Sequence, residues 1–210
     1  MGMSELSATI PLSQGRAGSW PNGGYSLGLD ETLVLETQRG DHSAFSGIYE
    51  QYFNRVYRYA LVRIGNAAEA EDLAADVFLK AFEKLNTFKA KGVPFAAWLF
   101  RIAHNQVVDH LRRRSRRPTT ELHEGLPLLD DAPDDLVVMG LTMDDVRSAM
   151  EEVTDAQRQV ISLRFSGGLS IAETAQAMKK KEGAIKALQH SAINALRRQL
   201  ARRGHEIDVS

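Results

Sequence analysis

Two stretches of the chain carry cationic side chains at a density suited to holding nucleic-acid phosphates. Residues 179–203 contain eight lysines and arginines against one acid, a net charge of +7. Residues 100–117 contain six arginines against one acid, a net charge of +5. Cationic contacts to phosphate supply affinity but little sequence information. Basic surface helices are also common without this role, so charge alone leaves DNA binding open.

The more C-terminal stretch follows the spacing of a helix-turn-helix. Ala175 is small enough for the point where two helices cross, and Ile185, ten residues later, can anchor the second helix. Met178 and Leu188 complete the predicted core of the motif. The N-terminal half of the second helix is then turned outward, as in motifs that read the major groove. The outward positions are Ala184, Lys186, Ala187, Gln189 and His190.

Aromatic residues accompany the other cationic stretch. A loop carries Phe88, Lys89 and Lys91, and the helix predicted after it carries Phe95 and Trp98. Further along this helix, Arg101, Asn105, Arg112 and Arg116 share one side. Rings can receive unstacked bases while arginines hold the backbone, so the pattern favours single-stranded DNA. The alternative is that Phe95 and Trp98 are core residues.

An acidic helix face precedes this element. At 100° per residue, one side of a helix over 66–85 is apolar. That core stripe consists of Ala70, Leu73, Ala74, Val77, Phe78, Ala81 and Phe82. The opposite face holds Glu69, Asp72, Asp76, Leu79 and Glu83. We interpret this face as a docking surface for a basic or mixed protein partner; the alternative is a solvated face with one leucine.

Helices must position all of these residues, and the sequence predicts an all-α fold. Periodicity and end signals place helices at 29–39, 45–64, 66–85, 94–114, 142–150, 154–165, 170–178 and from 182 to about 203. Asn66, Thr154 and Ser170 are predicted N-caps, each with Glu or Gln three residues later. Gly65 is a predicted helix stop.

Composition divides the chain into two helical domains joined by a flexible linker. Residues 1–28 hold six Gly, five Ser and two Pro and are predicted to be a flexible tail. The first domain is predicted at 29–117 and the second at 138–204, with a short tail at 205–210. Between the domains, residues 118–137 form a proline-containing acidic linker without Lys or Arg.

Several function classes are disfavoured by the composition. The 210 residues include no cysteine, which excludes a disulfide scaffold, a cysteine-ligated zinc site and a cysteine nucleophile. No apolar run reaches the ~20 residues of a membrane span, and no secretory signal is recognisable, so we expect a cytoplasmic protein. An enzyme such as a nuclease is the rival class. His104 and His110 point to different faces, however, so we predict no catalytic residue, no metal and no cofactor.

Four stretches, in this order, resemble an extracytoplasmic-function (ECF) sigma factor of bacterial RNA polymerase, in group 4 of the sigma-70 family. Residues 71–82 resemble sigma region 2.2, and residues 94–105 with 109–113 resemble regions 2.3 and 2.4. Residues 157–165 resemble region 4.1, and the helix-turn-helix resembles region 4.2. The likeness covers about residues 33–203.

The resemblance implies a transcription initiation factor that binds the polymerase core and stabilises the open promoter complex. It assigns the acidic face, Glu69, Asp72, Asp76, Leu79 and Glu83, to the β′ coiled coil. It assigns the minus-ten element to Phe88, Lys89, Lys91, Trp98, Arg101, Asn105, Asp109, Arg112, Arg113 and Arg116. It places Lys186, Ala187 and His190 on the positions that read the minus-thirty-five element. We predict that Lys181, Ala184, Gln189 and Ser191 contact the same element, although Gln189 and Ser191 stand where the family often has Leu and Arg.

The implied partners are the polymerase core, through the β′ coiled coil and the β flap, promoter DNA and an anti-sigma factor. Membrane insertion is not expected. The resemblance also implies that the second domain is masked until the polymerase separates the domains. The alternative function is that of a stand-alone helix-turn-helix transcriptional regulator, which would bind its operator tightly without polymerase.

Overall fold

The computed structural model describes residues 27–89, 92–116 and 148–202, and the regular elements among them are helical. The first four helices are α1 (Leu27–Gln38), α2 (Ala44–Ile64), α3 (Ala67–Lys84) and α4 (Phe95–Ser115), with a 3₁₀ turn at Leu85–Thr87 after α3. The others are α5 (Asp155–Ile161), α6 (Ile171–Met178) and α7 (Glu182–Arg202). Helical residues at 148–151 precede α5, and a π-helical turn, Ser162–Ser166, continues it.

Several predictions fall outside these residues. They are the tail up to residue 26, Lys91, the linker at 118–137, the helix start at Thr142 and the C-terminal tail at 205–210. The predicted helices that can be compared agree closely in their bounds, although α1 begins two residues earlier than expected, at Leu27.

The predicted helix ends are confirmed in atomic detail. Asn66 Oδ1 accepts a hydrogen bond from the Glu69 backbone N–H at 2.9 Å. Thr154 and Ser170 each form a reciprocal capping box with the residue three positions later. Gly65 ends α2 at φ 78°, a left-handed conformation in which a side chain would be strained. These caps fix where α3, α5 and α6 begin.

Helices α1–α4 form an N-terminal unit (residues 27–116) around an aromatic core. Tyr52, Tyr59 and Phe100 are fully buried among aliphatic residues of all four helices. Six residues of the predicted stripe on α3 are buried, which confirms its orientation. The seventh, Phe82, was predicted wrongly: it is 38% exposed, because Phe45 and His42 pack against its ring from one side only.

Helices α5–α7 form a C-terminal unit (residues 148–202) with a smaller core. Ala175 and Ile185 are both buried there, as the helix-turn-helix spacing predicts. Two residues of the same unit, Leu163 and Leu169, instead join the core of the N-terminal unit. The two units therefore pack against each other along a contact that we call the seam.

Candidate functional site

The acidic face of α3 is exposed to solvent along most of its length. Asp72, Asp76 and Glu83 are exposed, and Leu79 between them is 59% exposed. The opposite side of α3 is buried in the aromatic core, so this face cannot rotate inward. A large leucine held in water beside three carboxylates indicates a contact surface.

Glu69, the fifth predicted member of this face, turns toward α4. Its carboxylate lies 3.2 Å from His110 Nε2 and 3.6 Å from Arg114 Nη1. Glu69, Asp72 and Asp76 thereby form the acidic wall of a cleft whose other wall includes His110 and Arg113 of α4. The acidic and the cationic surfaces predicted from the sequence are thus neighbours that share one cleft.

Two aromatic rings of the N-terminal unit are exposed, and the sequence did not predict their exposure. Tyr49 of α2 is 40% exposed and stacks on Phe53 at 4.8 Å between ring centroids. Phe82 lies one turn from Leu79 on α3. The available signal was the position of Phe82 at the edge of the apolar stripe on α3, where neighbouring helices cover a side chain least.

The exposed surface of α4 carries three of the arginines that were predicted to hold the minus-ten element. Asn105, Asp109, Arg112, Arg113 and Arg116 are all exposed, as is Lys89 in the segment before α4. Asp109 lies 3.7 Å from Arg112 in an exposed pair, which contributes little to stability. The three arginines and Lys89 therefore remain available to phosphates.

Phe88 and Trp98 occupy different environments, although both were predicted to meet DNA. Phe88 is only 6% exposed and packs edge-on against Phe95, with Trp98 also within 5.2 Å of its ring. The prediction that Phe88 contacts DNA is therefore not supported by this arrangement, because its ring fills the core. Trp98 is half-buried at the edge of the same cluster. Trp98 therefore belongs partly to the core, and its contact with DNA stays a prediction.

Arg101 is engaged by the C-terminal unit. Its Nη2 donates a hydrogen bond to the Gln176 carbonyl oxygen at 2.8 Å, and its Nε is buried without a hydrogen-bond partner. This arginine is thus a predicted minus-ten residue that the seam engages. Its neighbours on α4 toward the C-terminus stay outside the seam.

The helix-turn-helix is built by α6 and α7. Lys179 ends α6 at φ 53°, a left-handed conformation that costs a non-glycine residue about 1–2 kcal/mol. The Lys180 backbone N–H then donates to the Ala175 carbonyl oxygen at 2.9 Å and closes the turn. A lysine therefore performs the turn for which glycine is the usual residue.

The outward residues of α7 divide into two groups. Most are exposed: Lys181, Ala184, Lys186, Ala187, His190 and Ser191. Gln189 was predicted to point outward, but it is half-buried, and its Oε1 accepts a hydrogen bond from Arg164 Nε at 2.9 Å. Ser191 Oγ receives a hydrogen bond from Gln157 Nε2 at 3.0 Å. Gln189 thus ties α7 to the preceding π-helical turn.

Buried arginines dominate the seam. Arg55 of α2 donates from Nε to the Gly167 carbonyl oxygen at 2.8 Å and from Nη2 to that of Gly168 at 3.2 Å. Arg63 Nη2 pairs with Asp155 at 3.0 Å, while its Nε and Nη1 are buried without hydrogen-bond partners. A buried guanidinium with unmet donors is costly, so the seam combines close packing with unsatisfied charge.

A histidine at the same contact is affected by this burial. His104 Nδ1 lies 3.2 Å from the Tyr59 hydroxyl. Burial lowers the pKa of His104 below its ordinary value, and the positive charge of Arg63 acts in the same direction. Both effects favour the neutral form of the His104 imidazole.

The described parts of the chain contain no group of three or more His, Cys, Asp or Glu residues that could hold a metal ion. Over the same residues, no helix combines the length and the apolar character that crossing a membrane requires.

Comparison with known families and proteins agrees with this organisation. Residues 48–117 match Sigma-70 region 2, and residues 149–198 match Sigma-70, region 4. The chain is 40% identical over 170 residues to the ECF RNA polymerase sigma factor BldN of Streptomyces coelicolor. The aligned residues cover 80% of this chain and 64% of BldN. The chain therefore spans somewhat less than two thirds of BldN.

Another relative is matched over nearly its whole length. The ECF RNA polymerase sigma factor SigK of Mycobacterium ulcerans is 30% identical over 169 residues, covering 79% of this chain and 90% of that protein. The fold is also similar to that of the sigma factor RpoE of Bartonella quintana, solved in complex with the anti-sigma factor NepR. The TM-score is 0.58 at 24% identity, over 75% of this chain and 96% of that one.

Proposed function

The chain belongs to the ECF sigma factors of bacterial RNA polymerase, and we propose that it directs that enzyme to a defined set of promoters. It acts by binding and performs no chemistry of its own, since the polymerase supplies catalysis. Its place of action is then the cytoplasm. The observation that carries the proposal is the pairing of an acidic surface on α3 with a cationic surface on the adjacent α4, beside a helix-turn-helix.

The acidic surface is proposed to hold the β′ coiled coil of the polymerase. Asp72, Asp76 and Glu83 are exposed around the protruding Leu79, with Phe82 beside it. Opposite charge speeds encounter and sets orientation, while an apolar side chain at the centre supplies affinity. Such a surface suits a basic helix with an apolar stripe. Glu69 contributes from the side, because α4 already holds its carboxylate.

The cationic surface of α4 is proposed to hold the opened minus-ten element. Arg112, Arg113 and Arg116 are exposed and can neutralise phosphates of the single strand. The partly exposed edge of Trp98 provides a face for an unstacked base. Unpairing a base costs a few kcal/mol, which stacking and phosphate contacts of this kind can offset.

Helix α7 is proposed to read the minus-thirty-five element as duplex DNA. Lys186, Ala187 and His190 are exposed near its N-terminal half, with Lys181 just before the helix. A helix of this kind reads base edges from the major groove, while lysines contact the backbone. Two weak contacts in one chain reinforce each other, so neither DNA element must be bound tightly alone.

The partners follow from the same proposal. Promoter DNA and the polymerase core, including the β flap near the C-terminal unit, are the working partners. An anti-sigma factor is the proposed regulator, in keeping with the solved RpoE complex.

Run-off transcription tests the function directly. Bacterial core polymerase is incubated with a promoter library, with and without the purified chain. We expect specific transcripts that require both proteins. A chain that binds its own duplex site tightly but adds nothing to core polymerase would instead be a stand-alone regulator.

Reversing the charge of the docking surface tests the assignment of α3. We expect Asp72→Arg with Asp76→Arg to abolish capture of core polymerase, because two exposed carboxylates become repulsive cations. The matched control is Glu151→Arg with Glu152→Arg, which reverses two exposed acids of the C-terminal unit. Circular dichroism of both variants reports whether the helices persist. Equal capture by the two variants would refute the docking surface.

A further inference from the structure

The segment that follows α3 is held from one side by the last residue of α1. The side-chain amide of Gln38 donates from Nε2 to the carbonyl oxygen of Leu85 at 2.8 Å and to that of Phe88 at 3.0 Å. An amide nitrogen has two N–H donors, and here each has its own acceptor. One side chain therefore fixes both ends of a four-residue stretch of backbone.

Helix α1 is itself fixed, so the amide is a rigid anchor. Asp30 accepts hydrogen bonds from the Tyr52 hydroxyl at 2.5 Å and from Gln51 Nε2 at 2.8 Å, both on α2. Val34, one turn before Gln38, is 2% exposed in the core of the N-terminal unit. The position of Gln38 is thus set by α2 and not by the segment that it holds.

The segment at residues 85–88 is also anchored in the core by the ring of Phe88. Phe88 is buried against Phe95 and Trp98, with centroid distances of 5.6 and 5.2 Å. The side chains of Asn86 and Lys89 are nevertheless exposed. Backbone held at both ends with its polar side chains in solvent is the arrangement expected of a preorganised contact loop.

We propose that Gln38 is a positioning residue that sets the geometry in which Asn86 and Lys89 meet the unpaired promoter strand. The proposal rests on the promoter-binding function argued above and adds helix α1 to that site, although α1 itself touches no DNA. Ordering the segment before binding removes an entropy cost that would otherwise weaken capture of the strand. It also restricts which base fits beside the segment.

The first test measures the segment in the purified full chain. Gln38→Ala removes both donors, and Gln38→Glu places a carboxylate against two carbonyl oxygens. The control is Glu36→Ala, which truncates an exposed side chain two residues away on the same helix. We expect faster amide hydrogen exchange at residues 85–89 in both Gln38 variants and no change in the control. Unaltered exchange in both Gln38 variants would overturn the proposal without bearing on the promoter function.

The second test measures open promoter complexes formed with core polymerase. We expect both Gln38 variants to shorten the lifetime of the complex roughly tenfold, the low end of what two hydrogen bonds contribute. Binding of core should match that of the Glu36→Ala control, and the thermal midpoint should fall by no more than a few degrees, because the two lost hydrogen bonds are local. A panel of single-base changes in the non-template minus-ten strand should show weaker base discrimination by the Gln38 variants.

The outcomes separate the two hypotheses. If the natural chain supports promoter-specific transcription but the Gln38 variants equal the control in lifetime and base discrimination, the positioning role is refuted alone. If the variants lose core binding and thermal stability in parallel with the lifetime, Gln38 is merely structural and the proposal also fails. If the natural chain directs no transcription, the promoter function fails with it, whatever the exchange data show.

Discussion

The N-terminal unit and the C-terminal unit bury very different side chains. The core of residues 27–116 contains six buried aromatic rings: Tyr52, Tyr59, Phe78, Phe88, Phe95 and Phe100. The cluster of the C-terminal unit is aliphatic, with Met150, Val160 and Ile185 among its members. Leu163 and Leu169 complete their packing only against the other unit. The larger unit can therefore hold its surfaces in place alone, whereas the smaller one gains stability at the seam.

This contrast has a functional side. The seam covers Arg101 of the cationic surface, while Lys186, Ala187 and His190 of the helix-turn-helix remain exposed. The C-terminal unit was expected to have its DNA-binding surface masked, but the predicted base-reading residues of α7 are exposed in this arrangement. In this arrangement the residue that the other unit engages is Arg101 of α4, which is predicted to bind DNA. Opening the seam would release Arg101 and would also remove support from the smaller unit.

The largest expected effect comes from removing the ring that both units share. Phe100 is fully buried, lies edge-on to Tyr59 at 5.6 Å and faces Gly167 across the seam. Phe100→Ala should lower the free energy of unfolding by about 3–5 kcal/mol, as for other buried phenylalanines. The control is Phe165→Ala, which removes the same atoms from a side chain that is 47% exposed. Equal losses in denaturant titrations of the two variants would contradict the asymmetry between the units.

A smaller effect is expected from breaking the polar part of the seam. Arg55→Met keeps an apolar stem but removes the donors to the Gly167 and Gly168 carbonyls. Hydrogen bonds from a charged donor contribute about 1.5–3 kcal/mol, so we expect separation of the units to become easier by about that amount. Small-angle scattering should show a larger radius of gyration for this variant. Arg58→Met on the same helix is the control, since the Arg58 Nε is buried without a hydrogen-bond partner. An equal increase in the radius of gyration of the Arg58→Met variant would show that the Arg55 hydrogen bonds do not specifically hold the units together.

Two glycines sharpen the comparison because their replacement should act in opposite directions. A Cβ at Gly167 would lie 2.7 Å from Phe100 Cε1 and 2.9 Å from the Leu163 carbonyl oxygen. Gly167→Ala should therefore destabilise the protein by about 1–3 kcal/mol through overpacking. Nothing lies within 4 Å of a Cβ at Gly183 in the first turn of α7. Gly183→Ala should raise stability by about 0.5–1 kcal/mol, and thermal unfolding that shifts both variants in one direction would disprove the prediction.

The smallest expected effect concerns acid. Burial holds the pKa of His104 below its ordinary value of 6.5, so the folded chain takes up this proton less readily than the unfolded chain. The free energy of unfolding therefore does not depend on His104 well above pH 6.5, and it decreases as the pH falls below that value. His104→Gln should flatten the difference in unfolding free energy between pH 7.5 and pH 5.5. An equal difference in the natural chain and in the His104→Gln variant would contradict the prediction.

Helix ends could be predicted from the sequence because the interactions that make them are local. Asn66, Thr154 and Ser170 each cap a helix through a partner three residues away. The pair Ala175 and Ile185 follows from the same short-range geometry, and both residues are buried as predicted. The acidic surface on α3 was also recognisable, because helical periodicity alone decides which residues oppose a core stripe.

The differences between the predicted and the observed surroundings of a side chain lie where a second helix decides them. Phe82 has the periodicity of a core residue, yet the neighbouring helices do not extend far enough to cover it. Phe88 looks like an exposed loop aromatic until Phe95 and Trp98 are placed beside it. Gln189 has the helical position of a base-contacting residue, but its side chain accepts a hydrogen bond from Arg164.

The sequence by itself determined the helices, their caps, the charge of each face and the order of the four stretches that resemble the family. The tertiary structure decided that Gln38 reaches the Leu85 and Phe88 carbonyls, and that Arg55 and Arg101 reach the C-terminal unit. The physical reason is range. A helical hydrogen bond or cap joins residues three or four positions apart, whereas these contacts join residues 47 to 113 positions apart. Only the packing of whole helices brings such partners together.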